Sequence, residues 1–299
     1  LVVMEGDVAD DVLAAQISDA DPSVHAQLLS LLASRRAEQA IPLALEGLDA
    51  PDTEVRNAAL GVLGLMGGLD EAQTVVRVIV ERADAPEREA AEAALNAIIA
   101  RRGEEILPVI FEGMKDAARE PRLVLLRMAA GIGGSQALDA VLAAMDHEDD
   151  EVASEALRML SNWSSLDAAP HLEALAADEE NLTPYVLGLR GYVRLARERA
   201  EGAQKVQMLT RSLELSRRPE EVRLVLGAWG GVKDVTSLAV LEPYLDDPEV
   251  RTETALAMVG IAGQADKDNE EQKALAVAAM NAVLEKCDDD RIRGNAQKV

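Results

Sequence analysis

IPLALEGL (residues 41–48) and ILPVIFEGM (106–114) carry the same phrase: aligned on proline, both read Pro, three apolar residues, Glu, Gly, then Leu or Met. Glu46 and Glu112 are therefore the side chains whose type and repetition most invite an acid–base reading. Paired carboxylates of that kind must flank the reacting bond at about 5–9.5 Å. Pro42 and Pro108 are 66 positions apart, so any such proximity has to come from the elements that carry them.

Other chemistry-bearing residues are scattered. His25, His147 and His171 lie far apart without an i, i+4 partner, which excludes a helical zinc pattern. The acidic turns DHEDDE (146–151), ADEEN (177–181), DKDNEE (266–271) and CDDDR (287–291) offer oxygens, but lack the glycine and terminal glutamate spacing of a calcium loop. The one cysteine, Cys287, precedes three aspartates, surroundings unsuited to a nucleophile. GLMGG (64–68) and GIGG (131–134) follow helical patterns, not the strand that a phosphate loop requires. The expectation is no catalytic residue, no metal and no cofactor.

The positioning elements emerge from self-similarity. A Pro/Asp/Glu cluster, a β-branched or apolar anchor and an alanine- and leucine-rich run recur, clearest in PDTEVRNAALGVLGLMGG (51–68), RPEEVRLVLGAWGG (218–231) and DDPEVRTETALAMVGIAG (246–263). Anchors at Val24, Val55, Ala90, Val124, Val152, Val186, Val222 and Val250 are separated by 28 to 36 residues. Apolar residues step by three and four, as in Leu60, Leu63 and Met66, which is helical periodicity. Asp21-Pro22 and Asp247-Pro248 mark helix starts, and glycine pairs at 67–68, 133–134 and 230–231 mark the turn to a second helix such as 136–145 or 235–245.

These units predict an all-α fold: an α-α superhelix, or solenoid, of about eight helix-turn-helix repeats. It runs over 1–299 with no internal domain boundary, and a ninth repeat is cut short at 289–299. QADKDNEEQ (264–272) and RERAEGAQK (197–205) are its expected irregularities, the latter as a long turn. In this frame the repeated phrase falls on second helices two layers apart. At 8–10 Å per packed helix, Glu46 and Glu112 are roughly 16–20 Å apart, too far for a dyad. Ile41, Leu45 and Leu48, with Leu107, Phe111 and Met114, are expected to face the core. Leu43, Glu46, Val109 and Glu112 are expected on a common exposed face, as partner-binding candidates.

A net charge of −24 with 48% apolar residues describes a foldable acidic chain. It opposes binding to DNA, RNA and anionic membranes and favours a basic protein or peptide partner. No run of about 18 apolar residues offers a membrane span. One stretch runs against this charge. Arg190, Arg194 and Arg197 share a helix flank within a basic segment, 190–218, suited to an acidic partner or to pairing with neighbouring repeats. Trp163 and Trp229 fall where core packing is expected, whereas Tyr244 is the aromatic candidate for an exposed anchor. The chain starts at Leu1 without a charged-then-apolar leader and reads as a piece of a longer protein.

Units of this length, with an Asp/Pro start, Val-Arg at the first helix (Val55-Arg56, Val222-Arg223, Val250-Arg251, Ile292-Arg293) and an alanine-rich run to glycine, resemble HEAT repeats over about residues 12–299. LRGYVRLAR (189–197), RPEEVRLVLGAW (218–229), LEPYLDDPEV (241–250) and DDRIRGNAQ (289–297) are also similar to HEAT-like modules of large exported bacterial proteins. The resemblance implies second helices lining a partner-binding concave surface, and only it points to export or the cell envelope. The expected function is a noncatalytic interaction or scaffold module within a larger protein. HEAT-like enzymes of the DNA glycosylase or chromophore-lyase type are one alternative, and a structural spacer is another.

Overall fold

In a computed structural model the protein is described over residues 7–82, 85–266 and 268–299, and the described residues are helical with turns. The chain divides into two compact units, 1–156 and 157–299.

In the first unit, α1 (Asp7–Ala15) precedes the pairs α2 (Pro22–Arg35) with α3 (Ala40–Gly47) and α4 (Thr53–Met66) with α5 (Leu69–Glu81). Then come α6 (Ala85–Arg102) with α7 (Leu107–Met114), α8 (Arg119–Ile132) with α9 (Ser135–Met145), and the start of α10 (Asp150–Ser161). First helices stack on first helices, α2 on α4 and α4 on α6, while α3, α5 and α7 each pack against the first helix that follows. Leu29, Leu32, Leu60, Leu63, Ile79, Leu95, Ile98 and Ile110 are fully buried between them. A helix pair alone could not bury this much apolar surface, so each layer depends on the next.

The second unit continues with α11 (Ala169–Ala177), α12 (Leu182–Glu198), α13 (Gly202–Leu215), α14 (Pro219–Trp229), α15 (Leu238–Leu241), α16 (Arg251–Ala262), α17 (Glu270–Lys286) and α18 (Asp290–Ala296). Here α12 packs on α11, α13 and α14, and α16 packs on α14 and α17. Trp229, Tyr185, Leu195, Leu209 and Met258 form its interior.

Local chemistry sets most boundaries. Asp21 caps α2 by accepting a hydrogen bond from the Val24 amide at 3.1 Å, with Pro22 in the first turn. The three glycine pairs lie in turns as expected. Four expectations need correction. The helix expected from Asp247-Pro248 begins at Arg251, after a turn in which the Val250 amide donates to the Asp247 carbonyl at 3.3 Å. The helix expected over 235–245 is broken into 3-10 turns around α15, with Pro243 where a helical donor is needed. The long turn expected at 197–205 is only the connection 199–201. In the polar segment 264–272, Lys267 lies outside the described residues. Finally, Val24 is exposed, and at two repeats the buried slot falls one residue before the anchor, at Tyr185 and Glu221.

The arginine after the anchor has a structural task. Arg56 donates to the Ala50 and Pro51 carbonyls at 2.9 Å, Arg251 to Leu245 at 2.8 Å and Arg293 to Cys287 at 3.0 Å. Each supplies donors to carbonyls left open near the end of the preceding element.

Candidate interaction groove

Helix α5 buries Ala72, Val75, Val76, Val78 and Ile79. Its opposite edge presents Gln73, Arg77 and Glu81 at four-residue intervals, so the three share a stripe. Helix α7 buries Leu107 and Ile110 and turns Pro108 and Glu112 to solvent, with Val109 half-buried. Between the two helices lies an open groove of about 500 Å3, lined by those outward residues together with Val76, Val80 and Gly113. Its walls are apolar, with charge at the rim.

Gly113 sets the depth of the groove. A methyl group there would lie 2.2 Å from Val76 Cγ1, so only glycine lets the helices approach this closely. The equivalent Gly47 would meet Ala59 at 3.3 Å and Leu29 at 3.4 Å. The glycine of the repeated phrase is thus a packing residue on both helices.

The rim charges differ in how they are satisfied. Glu112 pairs with Lys115 at 2.5 Å, and the carboxylate holds the lysine pKa above its ordinary value. Both groups are well exposed, so the pair contributes little. Arg77 and Glu81 have no hydrogen-bond or ion-pair partner among the described residues.

The predicted candidates are placed as follows. Val109 and Glu112 line the groove; Leu43, half-buried, and Glu46, exposed, lie on α3 outside its lining. Leu45, expected in the core, is 37% exposed, and Phe111 and Met114 are half-buried. Leu48 and Leu107 are buried as expected, and the rest of the core side is formed by Ala40, Ala44 and Gly47 on α3 and by Ile106 and Ile110 at α7. A segment apolar nearly all round does not announce which stripe faces inward.

In the second unit Arg190 is exposed. Arg194 donates to the Trp163 carbonyl at 2.6 Å and the Ser161 carbonyl at 3.2 Å, and Arg197 pairs with adjacent Glu198 at 2.8 Å. Other cations of the basic segment are also engaged by protein groups while staying partly exposed. Arg211 pairs with Glu173 at 2.7 Å, Arg218 pairs with Glu221 at 2.5 Å, and Arg217 lies 4.1 Å over the Tyr185 ring. Tyr244 sits half-buried in the turn after α15, where burial first and the Glu214 charge second raise its pKa.

Trp163 and Trp229 are buried as expected. His147 is held between Arg122 and the Asp149 amide, His25 is half-buried, and His171 is exposed. Among the described residues no three His, Cys, Asp or Glu side chains gather around a possible ion. Nor is any helix there long and apolar enough to cross a membrane.

The sequence did not single out the outward stripe of α5, although the glycines at 67–68 mark the turn into that helix. Gln73, Arg77, Val80 and Glu81 carry no proline phrase, and their one signal was position, since 69–81 lies between the two copies of the phrase.

A sequence model of the family described as HEAT repeats matches residues 10–96 and 107–183. No curated protein matches. Among solved structures, a human deoxyhypusine hydroxylase in complex with glycerol is similar at 17% identity over 98% of this chain and 94% of that chain, with a TM-score of 0.33. The complex of CpcE and CpcF of phycocyanin lyase from Nostoc is similar at 13% identity over 92% of this chain and 94% of that one, with a TM-score of 0.36. At that overlap neither bears on the activity of this chain.

Proposed function

Because the chain belongs to the HEAT-repeat family, we propose that it is a noncatalytic module of a larger protein, binding a protein or peptide partner through the α5–α7 groove. The observation that carries this reading is the groove itself. It is a concave site of about 500 Å3 with apolar walls and two rim charges that have no partner among the described residues. Its volume lies within the usual range for ligand sites, roughly 300–1,000 Å3. We also propose that the repeats form one array over 1–299. In support, the division between the two units falls inside α10, not in a linker. The Val-Arg phrase also recurs beyond residue 183, where the family match ends.

The test is selection of a composition-neutral displayed peptide library on the immobilised full chain, counter-screened with the double variant Val80→Glu/Val109→Glu. Both sites are half-buried, so an unchanged melting midpoint would show that the fold is retained. Peptides that bind the parent chain and not the variant are expected. An empty selection, or peptides indifferent to the variant, would sink the proposal.

A further inference from the structure

The groove holds a charge arrangement the fold itself does not use. Several arginines at helix edges close carbonyls or pair with carboxylates, as Arg56, Arg101, Arg194 and Arg211 do. Among the described residues Arg77 does neither, although Glu81 follows one turn later on the same helix. On the facing helix the partner of Glu112 is exposed Lys115, an ion pair a ligand cation can displace at little cost. Two carboxylates and one guanidinium therefore border a wall formed by Val80, Pro108 and Val109.

We propose that this groove takes an extended peptide that lays one arginine or lysine side chain into it. The methylene stem packs on Val80, Pro108 and Val109, the cationic end lies between Glu81 and Glu112, and Arg77 donates to a main-chain carbonyl of the peptide. Long basic side chains are built for such a site, with an apolar stem and a charged tip. Charge complementarity fixes the sign: carboxylates outnumber cations among the lining residues, and the whole chain carries −24, a field that draws cationic segments in and repels acidic ones. This inference rests on the interaction-module reading.

The probes are fluorescein-labelled, acetylated and amidated heptapeptides, alike except for arginine, norleucine or glutamate at the centre of a glycine and leucine frame. Anisotropy is read with the full chain, with Glu81→Gln/Glu112→Gln, with Arg77→Gln and, as control, with Glu46→Gln. The arginine peptide should bind at least about tenfold tighter than the norleucine peptide, the scale of a lost charge-assisted contact. That advantage should vanish in the Glu81→Gln/Glu112→Gln variant, weaken with added NaCl and survive in Glu46→Gln. Arg77→Gln should weaken the arginine and norleucine peptides by the same factor. Equal binding of arginine and norleucine peptides, an unaffected double variant, or no binding of the arginine peptide would overturn the inference. If selected library peptides depend on Val80 and Val109 yet need no basic residue, only this inference falls; an empty library removes the interaction reading with it.

Discussion

A methyl group added at Gly61 of α4 meets nothing within 4 Å, whereas one at Gly64 would sit 2.8 Å from Ala94 Cα in α6. Gly61→Ala should therefore stabilise the chain by about 0.5–1 kcal/mol through lost backbone entropy in the unfolded state. Gly64→Ala should destabilise it by roughly 1–3 kcal/mol through overpacking. Urea midpoints of the two variants check this directly, and a shared sign would refute the packing account. Two of the buried carboxylates, Glu87 and Glu221, hold networks of partners. Glu87, 4% exposed, accepts from Arg82 at 2.6 Å and Arg56 at 3.0 Å. Burial is the largest single influence on Glu87 and raises its pKa, but the two arginines together outweigh it and leave the pKa below the ordinary carboxyl value. Glu221 behaves alike: burial raises it, while Tyr185, Arg218 and the amides at 217 and 218 together lower it. The neighbouring Tyr185 phenol is pushed up to about 12, by burial first and Glu221 second. A depressed carboxyl pKa gives stability that is complete above the unfolded value, about 4.3, and is lost as pH falls through the folded one. Glu87→Gln and Glu221→Gln should each cost about 1–3 kcal/mol at pH 7, since they take a carboxylate acceptor from partly exposed arginines and, for Glu221, from the buried Tyr185 hydroxyl. Each should also flatten the acid limb of stability against pH. An acid limb as steep as in the parent chain would refute the linkage.

Helix ends are where arginines act at the element scale. Arg101, in the last turn of α6, donates to the Gly64 carbonyl at 2.5 Å and the Gly67 carbonyl at 2.8 Å, closing α4. Arg194 of α12 does the same for the end of α10. Arg101→Ala and Arg194→Ala should each cost about 1.5–3 kcal/mol, the scale of hydrogen bonds to a charged group. The loss should be local, seen as faster amide exchange around residues 63–68 in one case and 158–163 in the other. Uniform acceleration along the chain would argue against capping. This role was half legible. The Val-Arg phrase showed that an arginine recurs at the head of first helices, and Val55-Arg56 and Val250-Arg251 do turn back to carbonyls. That Arg194 caps a helix, instead of standing ready for a partner, needed the packing of α12, since both roles look identical along one helix.

Across the whole molecule, 54 acidic residues face 30 basic ones. Even complete pairing would leave 54 − 30 = 24 carboxylates unmatched. Self-repulsion of that excess favours expansion of the chain. Raising NaCl from near zero to about 0.1 M, where screening acts within about 10 Å, should therefore raise the melting midpoint. A fall on adding salt would mean that favourable surface pairs outweigh the excess. The same acidity would make binding of a basic peptide weaken with salt, so stability and affinity should move in opposite directions along one titration.

The repeat, most helices and the glycine turns were determined by the sequence alone, because they are local, whereas the start of α16 and the 3-10 turns around α15 were not. Three- and four-residue apolar steps, Asp21-Pro22 and the paired glycines act within one or two turns of chain. The phrase around Glu46 and Glu112 also marked the second helices α3 and α7, but not which of their stripes faces inward. Tertiary structure decided the rest. Whether Ala44 or Leu45 faces inward depends on the neighbouring helix, because the segment is apolar on nearly every side. The depth at Gly113 depends on Val76, and that Arg77 and Glu81 have no partner among the described residues is visible only in the folded chain. A groove belongs to two helices some thirty residues apart in sequence. No local pattern in either one encodes the space between them.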